Sequence, residues 1–313
     1  MTKLKILQIG PLTPEFNARL AEAYDVHPLW IEADVAAFLA NNGSAFNAVV
    51  TTARFGCNAS VIDALPNLQV VCSFGVGYDA IDVASTRKRA IPVSNTPDVL
   101  NECVADLAFG LILDVTRRLS EADRFVRAGN WERGNFPLGM QVHGKRLGIV
   151  GLGRIGKAVA RRAAGFNMQI GYHNRKPDSS VDHFYAPSAV ELARWANILV
   201  LTCVGGPQTQ NLISTQELEA LGPTGLLVNV SRGTVVDEKA LVAALQNKSI
   251  GGAGLDVYLG EPHVPAELKA MPNVVLLPHI ASATIETRRA MEQMVLDNLA
   301  AFFDKGGVLN AVE

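Results

Sequence analysis

No stretch of this sequence is long and apolar enough to cross a membrane. A spanning helix needs about 20 consecutive apolar residues. Charged residues, glycines and prolines interrupt every apolar run of the 313-residue chain before that length. The N-terminal stretch MTKLKILQIG is followed by Pro11 and Pro14, which leaves no room for the apolar core of a signal peptide. We therefore expect a cytoplasmic protein with no membrane partner.

The chain also has few cysteines and no marked excess of positive or negative charge. Charged residues make up 19% of the chain, the formal net charge is -2, and neither sign forms a long run. Because nucleic acids are usually bound through a basic face, no nucleic-acid partner is expected. The four cysteines, which form no CxxC pair, are predicted to be buried free thiols with no metal: Cys57, Cys72, Cys103 and Cys203.

Apolar residues are abundant, at 49% of the chain, and the length suggests about two domains. A first series of short apolar runs reads LKILQIG, NAVVTT and LQVVCSF. A second series reads KRLGIVGLG, MQIGYHN, ANILVLT, GLLVNVS, GGAGLDVY and NVVLLPHI. Continuous apolar strands that alternate with helices are typical of parallel sheets covered on both faces.

Two helical patterns indicate how the series are connected. Apolar residues recur at spacings of three and four over residues 99–127, which predicts one long helix between the series. A final helix over 284–303 follows the last strand, and we expect it to return to the first domain. The predicted fold class is α/β, with two Rossmann-like doubly wound parallel-sheet domains. A cofactor domain, 99–284, is inserted into a substrate-binding domain made of 1–98 and 285–313.

The segment VGLGRIG, residues 150–156, contains the pattern GxGxxG. Alone this pattern is weak, but here a strand-like run precedes it and a helical pattern over 154–164 follows it. In dinucleotide-binding folds the glycines permit a tight turn, close approach of the pyrophosphate and close helix packing, and the helix N-terminus favours the phosphates. We therefore predict cofactor contacts from five residues of this turn: Gly151, Gly153, Arg154, Ile155 and Gly156.

The segment GYHNRKPD, residues 171–178, lies where such proteins often place a carboxylate that binds the ribose hydroxyls of NAD. That position falls at His173 or Asn174, so the carboxylate is missing, and Arg175 and Lys176 follow. Arginine binds phosphate through paired, charge-assisted hydrogen bonds. The sequence therefore favours NADPH, with contacts from Asn174, Arg175 and Lys176, over NADH as a weaker alternative. A solvated basic loop is the other interpretation.

Three further motifs each follow a strand of the second series: NVSRGTVVD, LDVYLGEP and LPHIASAT. Arg232, Glu261 and His279 are therefore expected to meet at the carboxyl ends of a parallel sheet, where open α/β folds bind ligands. Each motif alone is weak, because SRG is a common turn and a lone histidine is more often a helix cap or a surface group. Their joint order carries more weight.

Taken in order, VGLGRIG, VNVSRG, GLDVY, GEP and PHIASAT resemble the motifs of the D-2-hydroxyacid dehydrogenase family. The sequence is similar in particular to the family's NADPH-using glyoxylate/hydroxypyruvate reductases and its hydroxyphenylpyruvate reductases. FGVGYDAID and NTPDVL extend the resemblance over nearly the whole chain. It implies reduction of a 2-oxo acid to a D-2-hydroxy acid by hydride transfer. In this chemistry His279 is the proton donor, Glu261 orients it, and Arg232 binds the substrate carboxylate and polarises the carbonyl.

The resemblance also implies further contacts. Arg54, Val76 and Gly77 would bind the substrate together with Arg232 and His279. Asp256 would bind the nicotinamide carboxamide, although a structural role in a turn competes with that assignment. Other implied cofactor contacts are Cys203, Val204, Pro207, Thr209, Val230, Ser231 and Ala281. CVGGPQTQ departs from the family's commoner leucine-proline wording, so the detailed contacts of that loop are open.

Three questions stay open at this level. In the family, an arm matching GNWERGNFPLGMQVHG packs on the second subunit of a homodimer, and Trp131 or a neighbour reaches the partner's active site. The alternative is a surface loop with packed aromatics. Glyoxylate and hydroxypyruvate are the expected substrates, with phenylpyruvate or hydroxyphenylpyruvate as alternatives. A dinucleotide-sensing corepressor with the same fold is a remote third interpretation.

Overall fold

The computed structural model describes residues 3–312. The chain divides into two compact units, Met1–Leu100 with Thr284–Glu313, and Asn101–Ala283. The domain boundaries expected from the sequence lie within two residues of these divisions. Which unit binds the cofactor and which the substrate stays a prediction.

The first unit contains a five-stranded sheet in the order β2-β1-β3-β4-β5, with every pairing parallel. The strands are β1 (Lys5–Gln8), β2 (Asp25–Pro28), β3 (Ala48–Thr52), β4 (Val70–Phe74) and β5 (Val93–Ser94). The helices that alternate with them are α1 (Pro14–Ala23), α2 (Val35–Asn42), α3 (Ala59–Asp63) and α4 (Val83–Lys88). The short strands β2 and β5 escaped the sequence analysis because neither carries a long apolar run.

Side chains fix where the four helices of this unit begin. Thr13, Asp34, Asn58 and Asp82 each accept a backbone N–H of the following first turn. Such caps satisfy N–H groups that the helix leaves unpaired. The central strands β1, β3 and β4 are buried, as expected for a sheet covered on both faces.

The second unit contains a seven-stranded sheet in the order β12-β11-β10-β9-β6-β7-β8, again with every pairing parallel. The strands are β6 (Arg146–Val150), β7 (Gln169–His173), β8 (Phe184–Tyr185), β9 (Ile198–Leu201), β10 (Leu226–Asn229), β11 (Gly252–Leu255) and β12 (Val274–Leu276). The strand order reverses between β6 and β9. In open α/β sheets ligands bind at such a reversal, outside the carboxyl ends of the strands.

The helices of this unit are α5 (Asn101–Arg117), α6 (Leu119–Arg127), α7 (Arg154–Ala164), α8 (Ala189–Trp195), α9 (Thr215–Leu221), α10 (Glu238–Gln246) and α11 (Ala266–Ala270). The predicted pair of parallel α/β sheets is confirmed. The predicted single helix over 99–127 is wrong, because Arg118 adopts a left-handed backbone with a φ of 57°. The Asp114 carboxylate accepts the N–H of Ser120 at 2.8 Å and starts a second helix.

The last helix, α12 (Ile285–Lys305), belongs to the first unit and packs against β4. The Thr284 hydroxyl accepts the N–H of Thr287 and caps its start, and Gly306 ends it in a left-handed conformation. Over residues 3–312 no helix has the length and apolar character that a membrane crossing requires.

Candidate active site

The glycine turn after β6 meets the geometric demands of a dinucleotide site. Gly151 has a φ of 95°, and a Cβ there would lie 2.6 Å from the backbone of Cys203. A Cβ at Gly156 would lie 2.4 Å from the carbonyl oxygen of Gly151. Gly153, in contrast, faces open space and starts α7 without a side-chain cap. Gly151 and Gly156 are therefore required for close packing of the backbone, while Gly153 leaves space and N–H groups for a phosphate. The predicted contacts Arg154 and Ile155 form the first turn of α7.

The end of β7 carries nitrogen-bearing side chains at the ribose position. The Asn174 side-chain oxygen accepts the N–H of Leu152 in the glycine turn at 2.7 Å. Arg175 is exposed and donates to the side-chain oxygen of Gln208 at 3.0 Å, which ties it to the loop after β9. Lys176 is exposed beside it. Two exposed cations therefore follow β7 directly, and one of them is tied to the loop after β9.

The loop after β9 contains the predicted cofactor contacts Cys203, Val204, Pro207 and Thr209. The Thr209 hydroxyl donates to the carbonyl of Val204 at 2.7 Å and closes the turn. Val204 and Pro207 are exposed, and Cys203 is half-buried beside Gly151. Burial raises the pKa of the Cys203 thiol to about 11, so it is an uncharged lining group near neutral pH.

The sequence analysis predicted that all four cysteines are buried, and this is wrong for two of them. Cys57 and Cys72 are buried, whereas Cys103 and Cys203 are only half-buried. Among residues 3–312 no group of three or more His, Cys, Asp or Glu side chains is arranged to hold a metal ion.

Asn229, at the end of β10, shapes the turn that carries Arg232. Its side-chain oxygen accepts the N–H and the hydroxyl of Ser231, at 3.0 and 2.8 Å. Its amide nitrogen donates to the carbonyl of Arg232 at 3.0 Å. Val230 and Ser231 are buried, and Arg232 is half-buried. The sequence analysis missed Asn229: the sequence shows only a polar residue at the end of an apolar strand, and its burial and hydrogen bonds appear in the fold.

The predicted pair of Glu261 and His279 is in direct contact. His279 Nδ1 lies 2.7 Å from Glu261 Oε2, and Glu261 Oε1 accepts the N–H of Tyr258 at 3.0 Å. The Tyr258 hydroxyl lies within hydrogen-bond distance of two backbone carbonyl oxygens, 3.1 Å from that of Leu255 and 2.8 Å from that of Leu277. Tyr258 thereby joins the ends of β11 and β12, the two strands that carry the pair. It too was missed from the sequence.

Asp256 holds the loop that follows His279. The Asp256 carboxylate is fully buried, and its two oxygens accept the N–H groups of Ile280 and Ala281 at 2.8 and 2.9 Å. His279 itself has a φ of 55°, a left-handed conformation that few non-glycine residues adopt. Both hydrogen bonds fall directly after this unusual residue, so Asp256 stabilises it. The predicted contact of Asp256 with the nicotinamide stays a prediction, as does that of Ala281.

The pKa of Glu261 depends on both His279 and Arg232. Burial alone would raise the pKa of Glu261, but the hydrogen bond and charge of His279, the N–H of Tyr258 and the charge of Arg232 together lower it. Glu261 therefore interacts with both His279 and Arg232. Burial raises the pKa of Asp256, and this effect outweighs the two backbone N–H groups, which by themselves would lower that pKa.

The predicted substrate contacts Arg54, Val76 and Gly77 lie in loops of the first unit. Arg54, after β3, is exposed with its guanidinium 5.5 Å from the ring centre of Phe55. The loop after β4 is fixed by the side chain of Asn95, which donates to the carbonyl of Val76 at 2.8 Å. Their role in binding substrate stays a prediction.

The lowered pKa of Glu261 sets a pH-dependent contribution to stability. It is present above the carboxyl's ordinary pKa of 4.5 and is lost as pH falls through the lower folded value. We expect Glu261→Gln to lower the free energy of unfolding by about 1 kcal/mol at pH 7, with a shrinking difference below pH ~4.5. Denaturant unfolding from pH 7 to 3 measures this.

The matched control is Glu267→Gln on the exposed face of α11, which should stay within about 0.5 kcal/mol of the unaltered protein at every pH. A Glu261→Gln deficit that does not change between pH 7 and pH 3 would contradict the assignment.

Known proteins support the same interpretation. The family model described as the D-isomer specific 2-hydroxyacid dehydrogenase NAD-binding domain matches residues 109–281. Glyoxylate/hydroxypyruvate reductase A of Arabidopsis thaliana is 43% identical over 312 residues, with all of both chains covered. Hydroxyphenylpyruvate reductase of Plectranthus scutellarioides is equally similar over the same length.

A solved structure extends the similarity to three dimensions. The NADPH-dependent glyoxylate/hydroxypyruvate reductase of Sinorhizobium meliloti, in complex with NADP and malonate, has a TM-score of 0.94 and 42% identity. The match covers 99% of this chain and 97% of that one. With its glycine turn and its Glu261–His279 pair, this chain belongs to the D-isomer specific 2-hydroxyacid dehydrogenase family.

Proposed function

We propose that this protein reduces small 2-oxo acids, glyoxylate and hydroxypyruvate, to D-2-hydroxy acids with NADPH. The observation that carries the proposal is the 2.7 Å contact between His279 Nδ1 and Glu261 Oε2, within the electrostatic reach of Arg232. One acid, one cation and one proton-donating ring are the groups that reduction of a 2-oxo acid requires from the protein.

Each of these side chains has a distinct task in the proposed reaction. A bound nicotinamide would supply the hydride to the carbonyl carbon. His279 donates a proton from Nε2 to the carbonyl oxygen, while its Nδ1–H remains bonded to Glu261, which fixes the ring orientation. Arg232 binds the substrate carboxylate and stabilises the negative charge that grows on the carbonyl oxygen. Hydride and proton together convert the C=O group to CH–OH.

The choice of NADPH rests on the loop after β7. Arg175 and Lys176 are exposed there, and the ribose position at His173 and Asn174 has no carboxylate to repel a 2′-phosphate. The Sinorhizobium meliloti relative is NADPH-dependent and was crystallised with NADP, which supports the same choice here. NADH is the weaker alternative cofactor.

The choice of substrate rests on the relatives, whose names indicate two different kinds of substrate. The Arabidopsis relative is a glyoxylate/hydroxypyruvate reductase, and the Plectranthus relative, at the same 43% identity, is a hydroxyphenylpyruvate reductase. We favour the small substrates because the Sinorhizobium relative adds a second named reductase of that kind. The aromatic acids are the second candidate.

Steady-state turnover tests the proposal. We expect reduction of hydroxypyruvate and glyoxylate by NADPH, with a lower kcat/KM for NADH and for hydroxyphenylpyruvate. Arg175→Ala should raise the KM for NADPH by about 10- to 100-fold, the worth of a charge-assisted hydrogen bond, and leave the KM for NADH nearly unchanged.

Arg194→Ala, at an exposed position of α8, is the matched control and should behave as the unaltered protein. A strong preference for hydroxyphenylpyruvate would replace the substrate assignment. The absence of turnover with every 2-oxo acid would contradict the proposed function itself.

We also propose a homodimer formed through the arm, residues 129–144, and through helix α6, which precedes it. Helix α6 has no buried residue, and Trp131 and Leu138 are 66% and 96% exposed. Phe125 of α6 packs edge-on against Phe136 of the arm, with the ring centres 5.3 Å apart, so helix and arm are joined by an aromatic contact. Apolar surface of this kind usually marks an interaction site.

The assembly state in solution tests the dimer. We expect a dimer by sedimentation velocity, and a shift to monomer for Trp131→Ser combined with Leu138→Ser, because both changes remove apolar contact area. Ile31→Ser, at a 63% exposed position of the first unit, is the control and should leave the dimer intact. A monomeric unaltered protein would contradict the proposal.

A further inference from the structure

The basic loop after β7 contains one carboxylate that the sequence analysis did not use. Asp178 lies two residues beyond Lys176, close enough along the chain to weaken the potential that a 2′-phosphate meets. Its Oδ2 lies 2.7 Å from Nζ of Lys157, and its Oδ1 accepts the N–H and the hydroxyl of Ser180 at 2.9 and 2.6 Å. The carboxylate is therefore fully engaged by two neighbours.

Lys157 occupies an unusual position for a cation. It lies in the first turn and a half of α7, whose N-terminal end is itself partly positive and favours anions. A lysine there needs a negative partner, and Asp178 is that partner. The hydrogen bond from Lys157, followed by those from Ser180, holds the pKa of Asp178 well below its ordinary value. Asp178 is therefore ionised near neutral pH, with its charge matched by Lys157.

The backbone keeps Asp178 in this place independently of Lys157. Its N–H donates to the hydroxyl of Tyr172 at 2.8 Å, and Tyr172 is buried in β7. Loss of Lys157 would therefore leave the carboxylate beside the basic pair rather than release it to solvent. The net positive charge of the group formed by Lys157, Arg175, Lys176 and Asp178 would be halved.

We propose that Lys157 is a specificity-determining residue for the 2′-phosphorylated cofactor. It cancels the charge of Asp178, so that this carboxylate does not weaken the attraction of Arg175 and Lys176 for a 2′-phosphate. The inference rests on the proposed use of NADPH. Because NAD carries a neutral hydroxyl in place of that phosphate, the effect of Lys157 is larger for the phosphorylated cofactor.

Binding of nucleotide fragments to the full chain tests this without turnover. Isothermal titration at low ionic strength compares 2′,5′-ADP with 5′-AMP, which lacks only the 2′-phosphate, for the unaltered protein, Lys157→Gln, Lys157→Arg and the double variant Lys157→Gln with Asp178→Asn. We expect Lys157→Gln to weaken the affinity for 2′,5′-ADP by about fivefold, the size of an exposed charge interaction, and to change the affinity for 5′-AMP by less. Lys157→Arg keeps the charge and should bind both fragments as the unaltered protein does.

The double variant separates charge from mechanical support. It lacks both the lysine and the carboxylate, so it should recover the affinity of the unaltered protein for 2′,5′-ADP. A double variant as weak as Lys157→Gln would overturn the inference, because the loss would then come from the broken bridge.

Fragment binding by the unaltered protein distinguishes a failure of this inference from a failure of the proposed use of NADPH. Equal binding of the two fragments would contradict the use of NADPH and the inference with it. A clear preference for 2′,5′-ADP that Lys157→Gln leaves intact would contradict the inference alone.

Discussion

The hydrogen bond between Glu261 and His279 is the interaction on which the rest of the candidate active site depends. His279 is half-exposed and sits in a left-handed conformation, which by itself costs about 1–3 kcal/mol. Buried groups behind it offset that cost. Asp256 fixes the two N–H groups after His279, and Tyr258 joins the strand ends on either side of the pair. A rigid, buried layer thus holds one exposed ring in a single orientation.

The same sheet supplies the proposed cofactor site through its strand order. The order reverses between β6 and β9, and in open α/β sheets ligands bind outside the carboxyl ends of the strands at such a reversal. Gly151 and Gly156 let the turn after β6 close tightly, and Asn174 binds that turn from the next strand. The groups proposed to hold phosphate are thereby fixed to three neighbouring strands rather than carried on a free loop.

The sequence was sufficient where one strong local pattern decided the structure. The apolar runs gave the long strands, and the glycine pattern gave the turn and the start of α7 at Arg154. It failed where a single backbone angle decided, as at Arg118, because apolar spacing continues through the break between α5 and α6. The contacts of Asn229, Tyr258 and Asp256 join residues through hydrogen bonds that no periodicity records. Lys157 and Asp178 lie 21 residues apart, so only the fold brings their charges together.

One measurement tests the central claim, that His279 is the proton donor. His279→Asn should lower kcat for hydroxypyruvate by about 10²- to 10⁴-fold, the usual worth of general acid catalysis, and leave the dissociation constant for NADPH nearly unchanged. His263→Asn, at an exposed position of the same unit, should retain full turnover. A His279→Asn enzyme within a few fold of the unaltered kcat would contradict the account, since proton transfer would then come from another group.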